Sequence, residues 1–159
     1  MYTKILVPLD QSELAETILP HAREIARRFD AELILLTVTP SFAEVIRAAG
    51  PATPTMVTPI PSDPEFVQRS IEAATESGQR YLDAQVTRLQ AEGLKARSIL
   101  AQGPTAKTIL QVAADEAVSL VTMCTHGHSG LVRTFLGSVA DDVMRESQLP
   151  VLLLRPASG

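Results

Sequence analysis

The segment 123–138 holds the residues whose types and spacing best suit chemistry, and that chemistry is phosphate binding. Gly127, Gly130 and Gly137 lie along it, and Ser138 follows the last of them. Glycine lets a backbone approach phosphate oxygens that a Cβ would keep away, although Gly130 is interpreted first as a source of loop flexibility. An apolar run precedes the segment and a helix pattern follows it, so free N–H groups and the helix dipole would face the anion. Ser138 either donates its hydroxyl to phosphate or caps the helix.

Three other side chains in this segment could be reactive or bind a ligand. Cys124 is a small residue at a strand end, a side chain that obstructs a ligand, or a redox-sensing thiol. The first interpretation is preferred, because no neighbouring lysine is evident that would activate the thiol. His126 and His128 have the spacing of a metal-binding pair, but no third ligand is evident, and we predict no metal site.

The elements that must position these residues alternate along the chain. Continuous apolar strands joined by helices predict an α/β fold, with one parallel sheet covered by helices on both faces. Ligands of such sheets bind beyond the carboxyl ends of the strands, at the switch point, so Asp10 and the glycine segment can face one crevice. The predicted strands are 4–9, 32–38, 94–100, 118–123 and 150–155, and the predicted helices are 12–29, 65–92, 105–114 and 138–147.

Proline and glycine interrupt this pattern at a few positions. Ser12 is the predicted N-cap of the first helix, and Pro20 is expected to bend that helix. Gly78 is expected to break or loosen the second helix. Residues 39–64 carry six prolines and are interpreted as a long mobile loop, although Ser41–Ala49 has room for a helical turn or two.

The composition restricts the class of protein. A chain of 159 residues, 45% hydrophobic and 20% charged, predicts one soluble domain spanning 1–159. The single cysteine excludes an internal disulfide and suits the cytoplasm. A net charge of −4 and 4% aromatic residues argue against nucleic acid as a partner. No apolar run approaches the roughly 20 residues of a membrane span, and the first strand starts too early for a signal peptide.

The two ends of the chain together resemble the universal stress protein family. The first strand ends in Pro8-Leu9-Asp10, similar to the family's Pro-x-Asp. The family's nucleotide pattern is Gly-x2-Gly-x9-Gly-Ser/Thr. Gly127 and the pair Gly137-Ser138 fit it, while Cys124 stands at the first glycine position. The resemblance covers nearly the whole chain apart from 39–64.

This resemblance implies a flavodoxin-like doubly wound sheet and a homodimer that binds ATP or AMP, with or without Mg²⁺. It also implies a stress-linked regulatory or nucleotide-sensing role with little or no hydrolysis, so no catalytic residue is predicted. Asp10 would accept hydrogen bonds from the adenosine, and the backbone of Val38 would bond the base. The implied site comprises Pro8, Leu9, Asp10, Val38, Met123, Cys124, Thr125, His126, Gly127, Gly130, Gly137, Ser138 and Val139.

The last strand predicts how two copies would meet. Val151–Leu154 is fully apolar and should lie at one edge of the sheet, where unpaired N–H and C=O groups invite another chain. Two copies meeting antiparallel would satisfy both edges, with Val151 and Leu153 at or near the contact. The alternative is an edge shielded by the 39–64 loop, which would leave a monomer.

Two other functions stay open at this point. One is a dimeric interaction module that has lost nucleotide binding through Cys124 and uses its loop for a protein partner of unknown identity. The other is a slow phosphoryl-transfer enzyme in which the loop of His126 and His128 positions phosphate. No Walker Gly-x4-Gly-Lys-Ser/Thr is present, and no nucleophile–base pair is legible.

Overall fold

Parallel strands form the centre of the molecule. The structure is a computed structural model that describes residues 1–49, 64–125 and 137–155, with the side chains of 46–49 left out. Its strands are β1 (Lys4–Pro8), β2 (Glu32–Thr39), β3 (Ala96–Gln102), β4 (Leu120–Cys124) and β5 (Val151–Leu154). They lie in the order β3-β2-β1-β4-β5, and every pairing is parallel. The predicted strands are therefore confirmed, with β3 and β4 each beginning two residues later than expected.

Helices cover both faces of this sheet. They are α1 (Glu13–Glu16), α2 (Leu19–Phe29), α3 (Phe42–Ala49), α4 (Pro64–Ala91), α5 (Thr105–Asp115) and α6 (Ser138–Glu146). One buried cluster joins α1, α2 and α4 to the face that carries Ile5 and Val7, and the other joins α5 and α6 to the face that carries Leu6 and Ile34. Alternate residues of β1 thus enter opposite cores, as the two-residue period of a strand requires. This confirms the flavodoxin-like, doubly wound architecture with helices on both faces.

Two local expectations need correction, and a third, the helical turn or two allowed for Ser41–Ala49, is confirmed. The first helix does not bend at Pro20. It is divided into α1 and α2 at Thr17 and Ile18, and Pro20 occupies the first turn of α2, where its missing N–H costs no hydrogen bond. Gly78 neither breaks nor loosens α4, because it is buried within the continuous helix. Residues 42–49 of the expected 39–64 loop form α3, and Pro64 opens α4; residues 50–63 lie outside the described ranges.

The amino end of the sheet is joined by ion pairs. Arg97 on β3 contacts Glu116, just after α5, and its Nε donates to Glu32 Oε1 at 3.2 Å. Lys4 Nζ donates to the Glu116 carbonyl oxygen at 2.7 Å. The hydrogen bond from Arg97 is the largest of the effects that lower the pKa of the Glu116 carboxyl. These contacts connect the starts of β1, β2 and β3 to the end of α5.

None of the helices in the described ranges is long and apolar enough to cross a membrane.

Candidate functional site

The strand pairing opens a crevice at the carboxyl end of the sheet. β1 stays paired with β2 up to Pro8, which lies opposite Leu36. β1 and β4 pair at Ile5–Leu120 and Leu6–Val121, and the ladder between these two strands ends at the second pair. Towards their carboxyl ends, beyond these two pairs, no ladder pairing joins the described residues of the two central strands. The chain winds outwards from β1 in one direction and from β4 in the other, so this gap lies at the topological switch point, where ligands of such sheets bind.

A tight turn after β1 places Asp10 at the mouth of this crevice. Leu9 N donates to Leu36 O at 2.8 Å, and Thr37 Oγ1 donates to Leu9 O at 2.9 Å, so the residue before Asp10 is fixed from both sides. The Ser12 amide and hydroxyl both donate to Asp10 Oδ1, at 3.0 and 2.6 Å. Asp10 is exposed. Its carboxylate therefore faces solvent at the switch point while one of its oxygens orders the turn.

Ser12 then starts α1, as predicted. Its hydroxyl accepts a hydrogen bond from Ala15 N at 3.1 Å, which is N-cap geometry. Glu13 and Glu16 lie in the first turn, where the helix dipole favours negative charge. The same serine thus caps α1 and holds Asp10, so the entry into α1 and the direction of the carboxylate are set together.

Cys124 ends β4 with its thiol turned into the packing beneath α1. The residue is 6% exposed, its Sγ lies 3.1 Å from Thr17 Oγ1 and its Sγ–Ala15 O distance is 3.8 Å. Thr17 Oγ1 also donates to Leu14 O at 2.6 Å, so the thiol lies in a small cluster of polar atoms at the end of α1. Cys124 is not among the residues with positive φ. An extended strand end accepts this side chain without the conformational freedom of glycine.

Gly137 and Ser138 begin α6. Gly137 is the N-cap, with φ −55° and ψ 147°, and no side-chain hydrogen bond caps the helix within the described ranges. Ser138 is the first helical residue and is exposed, so of its two interpretations the capping one does not hold, and the phosphate one stays a prediction. Because β4 and β5 are parallel neighbours, the helix between them must run back along the sheet, and it therefore begins at the carboxyl end. Its first N–H groups carry the partial positive charge that attracts anions.

The remaining predicted residues divide into backbone candidates and core side chains. Val38 is half-buried opposite Ala101, and together with Met123 and Val139 it packs in the cluster of α5 and α6. Pro8 and Leu9 finish β1 and lead into the Asp10 turn, with Leu9 3% exposed. Thr125 is buried, and its N–H donates to Leu154 O at 2.9 Å. His126, Gly127 and Gly130 lie outside the described residues.

Residues of α4 lie against the same turn, and the sequence pattern did not reveal them. Ser77 Oγ donates to Gln11 Oε1 at 3.1 Å, and Gln11 has a left-handed φ of 67°. Gln85 Nε2 donates to Glu16 Oε1 at 2.9 Å. The sequence pattern suggests only that Gly78 breaks or loosens the helix now seen as α4. A buried glycine in an otherwise uninterrupted apolar pattern was the available signal for close packing.

Metal ligands were sought among the side chains of the described residues. No group of three or more His, Cys, Asp or Glu side chains there could hold a metal ion. His126 and His128 fall in the range that the structure leaves out, so the metal-pair interpretation lies outside it. What the described geometry offers is a carboxylate at the end of β1 and a helix N-terminus after β4, at the same end of one sheet.

Comparison with known proteins gives consistent matches over nearly the whole chain. The model of the universal stress protein family matches residues 1–155. Universal stress protein MJ0577 of Methanocaldococcus jannaschii is 30% identical over 98% of this chain and 96% of its own length. A solved structure of MJ0577 superposes with a TM-score of 0.80 at 29% identity, covering 100% of this chain and 99% of the other.

Two more distant structures share the fold and were determined with nucleotides. A universal stress protein in complex with cAMP has a TM-score of 0.60 at 18% identity, covering 98% of each chain. The universal stress protein of Archaeoglobus fulgidus in complex with dAMP has a TM-score of 0.61 at 19% identity, covering 96% of this chain and 97% of the other.

Proposed function

Because the chain belongs to the universal stress protein family, we propose that it binds an adenine nucleotide, ATP or AMP, in the crevice between β1 and β4. The observation that carries this proposal is the end of the pairing between β1 and β4 at Leu6 and Val121, with Asp10 at the resulting opening. The cAMP and dAMP complexes of two proteins with this fold support an adenine nucleotide as the ligand class.

In this proposal the two sides of the crevice have different tasks. Asp10 accepts hydrogen bonds from the nucleoside, and the backbone of Val38 bonds the base. Gly137 and Ser138 take the phosphates at the start of α6, together with Gly127. The uncapped first turn of α6 supports this assignment, because its N–H groups carry no side-chain partner among the described residues. Mg²⁺ accompanies ATP if the triphosphate is the bound form.

The position of Cys124 supports nucleotide binding over the rival interaction module. That rival supposes that the thiol has closed the ligand site. The thiol instead packs beneath α1 beside Thr17, in the same cluster as Ala15. Its volume is therefore used within the core and does not have to enter the crevice.

We further propose a regulatory or nucleotide-sensing role in the cytoplasm, with little or no hydrolysis. The chain contains no Walker motif, and its single cysteine suits a reducing compartment. The phosphoryl-transfer alternative makes a different prediction, namely steady release of phosphate from ATP at a useful rate. Turnover measured with purified protein separates the two.

Identification of the ligand that accompanies the purified protein tests the central proposal. Protein purified without added nucleotide is denatured, and the released small molecules are identified by mass spectrometry. We expect ATP or AMP, and calorimetry with added ATP and Mg²⁺ should then show binding to the emptied protein. The absence of released nucleotide, together with no heat and no thermal shift at millimolar ATP, would support the interaction module.

We also propose that the chain forms a homodimer through β5. The sheet order places β5 at one edge, and all four of its residues are half-buried and apolar. An apolar edge strand invites pairing with a second copy. Light scattering at micromolar concentration should give about twice the chain mass of 17.1 kDa, and a monomer mass would reject the dimer.

A pair of substitutions on the two edges locates the contact. Leu153→Lys should shift the dimer towards monomer, because it forces a charge into an apolar contact. Ile99→Lys places the same charge on β3, the opposite edge strand, and should leave the mass unchanged. Equal dissociation by both substitutions would indicate a general loss of stability.

A further inference from the structure

The turn that presents Asp10 rests on the middle of α4. Gln11, the next residue, has φ 67°, a left-handed conformation that costs energy for any residue with a Cβ. Such a conformation persists when its surroundings fix it. Ser77 Oγ on α4 donates to Gln11 Oε1 at 3.1 Å, and this hydrogen bond is a tertiary contact that can help to fix the conformation of Gln11.

Gly78, the next residue of α4, lies close to the same turn. A Cβ built at Gly78 would lie 3.1 Å from Leu100 Cδ1, 3.5 Å from Thr37 Cγ2 and 3.7 Å from Gln11 Nε2. Thr37 is the residue whose hydroxyl binds Leu9 O at 2.9 Å. The glycine therefore lies where the end of β2, the strand β3 and the turn after β1 converge; a Cβ there would be tight against Leu100 and in ordinary contact with Thr37 and Gln11.

A second connection holds the far end of the same segment. Gln85 is 3% exposed, and its Nε2 donates to Glu16 Oε1 at 2.9 Å. Tyr81 lies between these two connections along α4. Ser77, Tyr81 and Gln85 are four residues apart and so share one face of the helix. Burial, followed by the Glu16 carboxylate and then Asp10, raises the pKa of Tyr81, because both negative charges disfavour ionisation of its hydroxyl.

We propose that Gln11 is a positioning residue for nucleotide binding, held in its left-handed conformation by Ser77 so that Asp10 points into the crevice. The inference rests on the proposed function and deepens it. It assigns part of the affinity for the nucleoside to α4, a helix that need not touch the ligand. Ser77 acts through Gln11, and Gln11 acts through Asp10.

The test compares two ligands across a short series of variants of the full chain. ATP and adenosine share the nucleoside, and only ATP carries phosphates. Ser77→Ala should lower the affinity for both ligands by the same factor, about threefold, the loss of one modest hydrogen bond. Gln11→Ala removes the same hydrogen bond from the other side and keeps the cost of a Cβ at positive φ, so it should also lower both affinities about threefold. Ser77→Thr keeps the hydroxyl and should restore wild-type affinity.

Ser70→Ala is the matched control. Ser70 is exposed on the same helix, and its hydroxyl donates to Phe66 O at 2.8 Å within that helix, away from the turn. Ser77→Ala and Ser70→Ala should both melt at or above the wild-type temperature, because alanine is the stronger helix former. Ser70→Ala should therefore leave both affinities unchanged, so a loss confined to Ser77→Ala cannot come from altered helix propensity.

The outcomes separate this proposal from the proposed function. Wild-type protein that binds neither ATP nor adenosine overturns both. Wild-type binding with unchanged affinities in Ser77→Ala overturns the positioning role alone. A loss of ATP affinity without a loss of adenosine affinity also overturns it, because the effect would then lie on the phosphate side.

Discussion

The two ends of the sheet differ in how their strands are joined. At the amino end β1 is paired with both β2 and β4, and Arg97 contacts Glu32 and Glu116. At the carboxyl end the pairing of β1 with β4 has already ended, at Leu6 and Val121. Ser119 adds to the amino end, since its hydroxyl accepts from Thr3 N at 2.9 Å and donates to Lys4 O at 2.9 Å. At this end the charged and polar side chains join strands and a helix to one another.

The carboxyl end uses its polar groups differently. Asp10 is exposed in a turn whose neighbours hold it in place, and the first turn of α6 has no side-chain cap in the described ranges. The comparison indicates that the amino end contributes to stability and the carboxyl end to binding. Substitutions at one end should therefore change the melting temperature, and substitutions at the other should change nucleotide affinity.

Ser138→Ala should give the largest effect on binding. If its hydroxyl donates to phosphate, the substitution weakens ATP binding by about 1–3 kcal/mol, since hydrogen bonds to charged groups are among the stronger ones. Ser147→Ala, at the other end of α6, is the matched control and should leave affinity unchanged. Calorimetry measures both variants. Equal affinities for Ser138→Ala and wild type would remove Ser138 from the proposed site.

Arg97→Met should give the complementary result at the amino end. It keeps the length of the side chain and removes the contacts to Glu32 and Glu116. We expect the melting temperature to fall by about 2–4 °C, and ATP affinity to be unchanged. Arg69→Met removes an exposed pair with Glu65 and should have almost no effect on melting. A clear loss of ATP affinity in Arg97→Met would contradict the division between the two ends.

The same ion pairs predict a dependence on pH. The pKa of Glu116 is lowered in the folded protein, chiefly by Arg97, so its stabilising contribution is present above its ordinary pKa. The contribution is lost as the pH falls through the folded-state value. The melting difference between wild type and Arg97→Met should therefore shrink as the pH is lowered from 7 towards 3. A difference that stays constant over this range would show that the carboxylate does not contribute through Arg97.

Cys124→Gly should have the smallest effect on binding. Because the thiol packs beneath α1 and the strand end is extended, restoring the family's glycine should change ATP affinity by less than about threefold, roughly 0.65 kcal/mol. Thermal unfolding should reveal some loss of stability, since a buried side chain is removed. A large gain in affinity would mean that the thiol obstructs the crevice after all.

The sheet was predictable from the sequence because its strands are continuous apolar runs between helices. The run from Leu33 to Leu36 is fully buried, and helix α4 has its apolar residues at helical spacing. Such patterns depend on the local sequence, so they can be recognised without knowledge of the tertiary contacts. The position of Asp10 at the switch point followed from strand order alone.

The details of the site were less predictable, because they depend on contacts between distant residues. A left-handed Gln11 has no sequence signature, and its partner Ser77 is 66 residues away. Gly78 suggested a weakened helix, although its real surroundings are side chains of β2 and β3. Pro20 suggested a bend, but the hydrogen bonds around Thr17 and Ile18 end α1 before the proline is reached.

Hydrogen–deuterium exchange of the full chain, measured with and without ATP, tests the central claim most directly. We expect slower exchange in the presence of ATP at 9–12 and at 137–141, which are the Asp10 turn and the start of α6. Exchange at 3–5, 95–97 and 116–119, at the amino end, should not change. Protection confined to the amino end, or no protection anywhere at saturating ATP, would contradict it.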